Sequence, residues 1–227
     1  MNASEFKKLV NKNFSPNIRQ LNWKGSGFHF YKHDQNHIVN IFVIQGSLYG
    51  GSVCCETAIH FDFIPDLAHK EIEISKTTYA SCIVRNRLSP KGVGDYHWTF
   101  RDNEEDNLKS VNQIWDAFKT HGMAFYNDFA NFPFPFDTIK PQDLKANHNY
   151  KLLDKYYITN PIHFAWLLKE INLFTGRQDI AKDFSAFGLS QAIENAERMS
   201  GHSKSKKAKE DIEKYIDTNK EMFMVLQ

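Results

Sequence analysis

The chain is poor in cysteine, with three among its 227 residues. Cys54, Cys55 and Cys82 form an odd, sparse set, which excludes a disulfide framework and agrees with a reducing compartment. Cys54 and Cys55 are neighbours. On a strand they point to opposite faces, so they are poor joint ligands for one zinc ion. No apolar run reaches the ~18–20 residues that cross a bilayer, and the opening MNASEFKKLVNKNF has no apolar signal-peptide core. A cytoplasmic protein that does not enter membranes is the expectation. Charge of one sign is lacking too: 28 Lys and Arg stand against 27 Asp and Glu. That balance gives no general attraction to nucleic acid or to anionic lipid. Local signatures of chemistry are also missing. There is no Gly-x-Ser-x-Gly elbow, no paired Cys–His pattern and no phosphate loop. GSLYGGS at 46–52 lacks the Lys-Ser/Thr of a phosphate cradle and reads as a flexible connection.

What the chain does have is apolar mass. Hydrophobic residues make up 41% and phenylalanine alone numbers 19. That excludes disorder and provides for a substantial core. Ser4 can cap a first helix whose apolar face is Phe6, Leu9, Val10 and Phe14, and Pro16 stops it. Residues 27–45 read as a hairpin in which Phe30 opposes Val39, Phe28 opposes Ile41, and Asp34-Gln35 turns. Residues 53–63 alternate as a third strand. Val53, Cys55, Thr57, Ile59, Phe61 and Phe63 share one face, and Cys54, Glu56, Ala58, His60 and Asp62 the other. Residues 79–88 form a fourth strand with Arg85 and Arg87 on one side, and 95–100 a short fifth. Short connections between consecutive strands argue for an antiparallel sheet.

After the strands, 102–122 reads as an amphipathic helix. Acidic residues fill its first turn, Leu108, Val111, Ile114, Trp115 and Phe118 form its stripe, and Gly122 is its stop. The proline- and aromatic-rich segment 128–144 is too apolar for a free linker and is expected to lie across the core surface. Beyond it the chain turns helical: Asn160-Pro161 opens a helix to Phe174, Asp179 caps another to about Met199, and a last one covers about 206–223. The expected architecture is α+β. It comprises an antiparallel sheet of about five strands flanked by helices over 1–140, and an all-helical extension over 141–227.

The candidate sites lie on the sheet. His29, His33 and His37 invite a metal reading, but the hairpin places His37 on the face opposite His29 and His33, so no metal site is expected. Glu56, His60 and Asp62 share one face of the third strand. Arg85 and Arg87 lie opposite them if the fourth strand is its neighbour, and Trp98 follows. A carboxylate, an imidazole and a guanidinium on one surface suit an anion or acid–base work. A cross-strand ion-pair ladder explains the same residues. The helix pair over 161–199 carries Asp179, Asp183, Glu194 and Glu197, which phosphate would repel, so DNA reading is not expected. Lys204, Lys206, Lys207 and Lys209 open the last helix against its dipole and are read as solvated, not as an RNA contact.

The order of features resembles a known arrangement: an N-terminal helix, GFHFYK, IVNIFVIQGS, CIVRNRL, DYHW and an amphipathic helix. It is similar to the bacterial domain-of-unknown-function family 4304, over roughly residues 4–136. Gly27, Phe28, Arg85, Arg87 and Trp98 match that family's Gly-Phe, its Arg-x-Arg-like strand and its Trp. His97 stands where a second Trp is common, and the third strand CCETAIHF lacks the usual glycines. The resemblance implies a bacterial cytoplasmic α+β domain and carries no activity. The function expected from the whole is a non-catalytic protein-binding module, accessory, regulatory or immunity-type, acting on another protein or on itself and needing no cofactor. The alternative is a small-anion binder or hydrolase-like enzyme using Glu56, His60, Asp62, Arg85 and Arg87.

Overall fold

The computed structural model describes residues 2–66, 70–145, 154, 158, 160–202 and 205–224. The chain divides into two compact units, Met1–Phe132 and Pro133–Gln227. The boundary falls within the proline- and aromatic-rich segment.

The first unit opens with helix α1 (Ala3–Asn13). Its cap is Asn2 and not Ser4: the Asn2 side chain accepts from the Glu5 amide at 3.0 Å and Glu5 returns a bond to the Asn2 amide at 2.8 Å. This reciprocal pair satisfies two amides, which a serine two residues later, already inside the helix, would not do. Pro16 does not simply end the helix. It lies in the first turn of a short second helix, α2 (Ser15–Arg19), where its missing amide costs nothing.

Among the described residues six antiparallel strands follow: β1 (Lys24–Ser26), β2 (His29–His33), β3 (Ile38–Gly46), β4 (Ser52–Phe61), β5 (Val84–Leu88) and β6 (Trp98–Thr99). Their order is β1-β2-β3-β4-β5, with β6 also on β4. The alternation expected for β4 is present, and the sheet with its helices is α+β. The β2–β3 register differs from the expected one: Phe30 faces Phe42, Tyr31 faces Ile41 and His33 faces Val39. His37, at φ 66°, takes part in a turn longer than Asp34-Gln35. The three-residue slip is odd, so Phe30 shares a face with Phe42 while Val39, Ile41 and Val43 turn to the other. β5 is also shorter than expected, because Tyr79–Ser81 coils into a 3-10 turn before it.

One face of the sheet lies under α1 and helix α3 (Glu104–Ala117). Its centre is Phe14, whose ring meets Phe30, Phe42 and Phe118 at 5.3, 5.4 and 6.0 Å. Each such buried ring contributes about 1.5–3 kcal/mol. Gly122 does not stop this helix. The chain passes through a π-helical turn (Phe118–Gly122) into α4 (Met123–Asn127), and Gly122 keeps a helical φ of −64°. On the opposite face Val39, Ile41, Ala58 and Cys82 form a buried cluster, closed over by Ile72, Ile74 and Tyr79.

The second unit contains α5 (Pro161–Phe174), α6 (Gln178–His202) and α7 (Lys206–Met222). Asn160 caps α5 by accepting from the Ile162 and His163 amides, as its position before proline predicts. Buried Lys169 on α5 donates to the Met222 carbonyl at 2.7 Å, and so holds the end of α7. Lys206, Lys207 and Lys209 sit in the first turn of α7, whereas Lys204 lies outside the described residues. Among the described residues no helix is long and apolar enough to cross a membrane.

Candidate functional site

The residues singled out on the sheet occupy both of its faces. Cross-strand pairing sets Glu56 opposite Arg87 and Ala58 opposite Arg85, so both arginines do share the face of Glu56 and His60. Trp98 pairs with Val53 and belongs to the other, helix-covered face. It is buried against Tyr96, and its indole nitrogen has no hydrogen-bond partner among the described residues.

Arg87 is fully engaged. It bonds Glu56 Oε1 at 3.0 and 2.9 Å and both oxygens of Asp95 at 2.9 Å. Burial opposes its charge, but the bonds to Asp95 and Glu56 outweigh that and raise its pKa. The same bond to Arg87 holds the Asp95 carboxyl below its usual value. This is a ladder in which one cation is shared between two carboxylates, with every nitrogen of the guanidinium group already engaged. Arg85 is different: its guanidinium lies 5.5 Å over the Tyr79 ring, and among the described residues it makes no ion pair.

His60 is 3% exposed, and its Nε2 has no partner among the described residues. Burial pushes its pKa down to about 4, against weaker opposing contributions from the Ile64 backbone and Asp66. It is a neutral core imidazole at pH 7, with no substrate-facing proton to exchange. Burial also pushes up the thiols of Cys54, Cys55 and Cys82, so none is a thiolate nucleophile at neutral pH.

Asp62 lies apart from Arg85 and Arg87, with histidine partners that the sequence reading separated. His33 Nε2 is 2.8 Å from Asp62 Oδ2, and His37 Nδ1 is 3.0 Å from Asp62 Oδ1. His37 reaches this carboxylate because its left-handed backbone redirects the side chain. His29 bonds the Thr77 carbonyl instead, at 2.8 Å. No group of three or more His, Cys, Asp or Glu side chains among the described residues is arranged to hold a metal ion.

Two surface features were not foreseen. A groove of about 610 Å³ is lined by Pro90, Val93, Tyr96, Asp116, Thr120 and His121. The π-helical turn supplies two of these, and no local sequence rule signals such a turn. None of Glu56, His60, Asp62, Arg85, Arg87 or Trp98 lines it. The second feature is the tip of the β3–β4 hairpin. Ser47 accepts from the Tyr49 amide through its hydroxyl at 3.2 Å and from the Gly50 amide through its carbonyl at 3.1 Å, while its own amide donates to the Ser52 carbonyl at 2.9 Å. Gly50 and Gly51, at φ 75° and 70°, supply the left-handed backbone this turn requires. The connection at 46–52 takes the form of a hydrogen-bonded turn. Leu48 and Tyr49, 100% and 99% exposed, project from it.

A protein family described as Domain of unknown function (DUF4304) matches residues 14–128. Neither a curated protein nor a solved structure matches the chain.

Proposed function

The chain belongs to the DUF4304 family, and from that premise we propose that it is a non-catalytic protein-binding module of the bacterial cytoplasm, in an accessory, regulatory or immunity-type role. The observation that carries the reading is the hairpin tip. A leucine and a tyrosine held fully in solvent on a hydrogen-bonded turn lose apolar hydration only when something covers them. Tyrosine is enriched at the energetic centres of protein interfaces, where a ring buries a large area and its hydroxyl keeps a polar contact. A tip already ordered before contact spares much of the entropy that a flexible loop loses on binding.

The anion-binding alternative has less support. Its strongest cation, Arg87, already holds Glu56 and Asp95. Its histidine is buried in the core, and Asp62 is bonded to His33 and His37. The test is paired retention from an extract of the protein's own host. Wild type retains a partner of defined mass, and the double variant Leu48→Ser, Tyr49→Ser, folded as judged by circular dichroism, does not. Equal retention by both removes the tip from the account.

A further inference from the structure

The inference concerns the open edge of the sheet at β5. The Ser47 amide donates to the Ser52 carbonyl at 2.9 Å, and the Asp62 amide to the His37 carbonyl at 3.1 Å. In an antiparallel ladder, backbone groups of successive residues bond to opposite neighbours. The even-numbered residues of β4 therefore bond toward β3. Cys55, Thr57 and Ile59 bond toward β5, where they face Leu88, Asn86 and Val84. The Thr57 hydroxyl reaches the Asn86 carbonyl on that same line, at 3.2 Å. It follows that the N–H and C=O of Arg85 and Arg87 point away from β4. β5 ends the strand order. Among the described residues nothing is hydrogen-bonded to those outward groups. By contrast, the outward Thr99 carbonyl of β6 on the same side is taken by the Ser110 hydroxyl at 2.9 Å.

We infer that this edge accepts one extended strand of a partner protein, which adds to the sheet beside β5 with acidic side chains at the alternate positions that flank Arg85. The backbone of Arg85 and Arg87 supplies the hydrogen bonds, and the side chains above it select the partner. Arg85 is the selecting group, because its guanidinium has an aromatic ring beneath it and no carboxylate among the described residues beside it. A second copy of the same strand does not fit. Antiparallel β5 against β5 sets the arginines of both copies side by side on one face, and like charges directly opposite repel. The inference rests on the protein-binding reading for the kind of ligand, but not on the hairpin tip.

The test uses a fluorescein-labelled nonapeptide of alternating threonine and glutamate, read by anisotropy and by amide hydrogen exchange of the full chain. The controls are the threonine–lysine peptide and the threonine–glutamate peptide N-methylated at its amides. The acidic peptide is expected to bind and to slow exchange of the Arg85 and Arg87 amides about tenfold or more; neither control does. Arg85→Glu is expected to weaken the acidic peptide about tenfold or more, and Arg85→Gln replaces it should that variant not fold. Absence of acidic-peptide binding, or binding that leaves both amides exchanging as before, overturns the edge assignment. If that happens while the tip-dependent complex persists, only the edge assignment falls. Edge binding without any tip-dependent complex leaves the edge standing and removes the tip.

Discussion

Glu56 and Arg87 face each other across β4 and β5, joined by bonds of 3.0 and 2.9 Å, with the Glu56 side chain almost wholly buried and that of Arg87 partly open to water. The pair is unequal in its environment, and the two deletions should be unequal in effect. Arg87→Ala leaves a buried carboxylate with no cation and should cost about 1–3 kcal/mol. Glu56→Gln keeps an acceptor for the guanidinium and should cost less. Urea unfolding of the two variants against wild type checks the order.

Asp95 shares Arg87 from the solvent side, and the bond holds its carboxyl below the ordinary value of 3.8. A depressed folded pKa contributes stability above the unfolded pKa and loses it as pH falls through the folded one. Asp95→Asn should therefore lower stability slightly at pH 7, the pair being exposed, and the difference from wild type should close as pH falls below about 4 and the wild-type carboxyl takes up its proton. Unfolding curves at stepped pH measure the difference.

His60 acts in a higher window. Its folded pKa of about 4 lies below the free value of 6.5, so the unfolded chain binds the proton first as pH drops. Stability should decline from about pH 6.5 down to about pH 4 and level off below, by an amount on the order of 2–4 kcal/mol. His60→Leu should abolish that portion of the slope, as read by urea midpoints at pH 7.5, 6 and 4.5. A variant with the wild-type slope places the acid sensitivity elsewhere.

Phe14 touches Phe30, Phe42, Trp115 and Phe118 and is fully buried. Phe14→Ala should cost about 3–5 kcal/mol through lost burial and a cavity under α1. In the second unit, Lys169→Met keeps the apolar stem but removes the donor to the Met222 carbonyl. It should cost about 1–3 kcal/mol and speed amide exchange at the C-terminal end of α7. Hydrogen exchange of each variant locates the loss.

The parts of this fold that were legible in the sequence are those governed by one period. β4 alternates strictly, so its two faces could be assigned residue by residue, and the Glu56–Arg87 face followed from it. α1 and α5 show their apolar spacing or their Asn-Pro cap openly. What escaped depends on single backbone conformations. His37 in the left-handed region lengthened a turn and slipped the β2–β3 register, which moved Val39 and Ile41 to the face opposite Phe30. The same residue brought His37 to Asp62 beside His33. Gly122 resembles a helix stop but continues through a π turn, because the chain after it, MAFYN, keeps helical spacing with Phe125 and Tyr126 buried. Trp98 was placed with the charged residues by sequence order alone, and its pairing with Val53 puts it on the far face.

The central claim is that the exposed Leu48–Tyr49 tip binds another protein, and native mass spectrometry of the gently purified protein from its own host tests it most directly. The account predicts a complex with a second protein of defined mass, present for the wild-type chain and lost for Leu48→Ser, Tyr49→Ser. A chain that carries only a small-molecule adduct, or a complex that survives both substitutions, would contradict it.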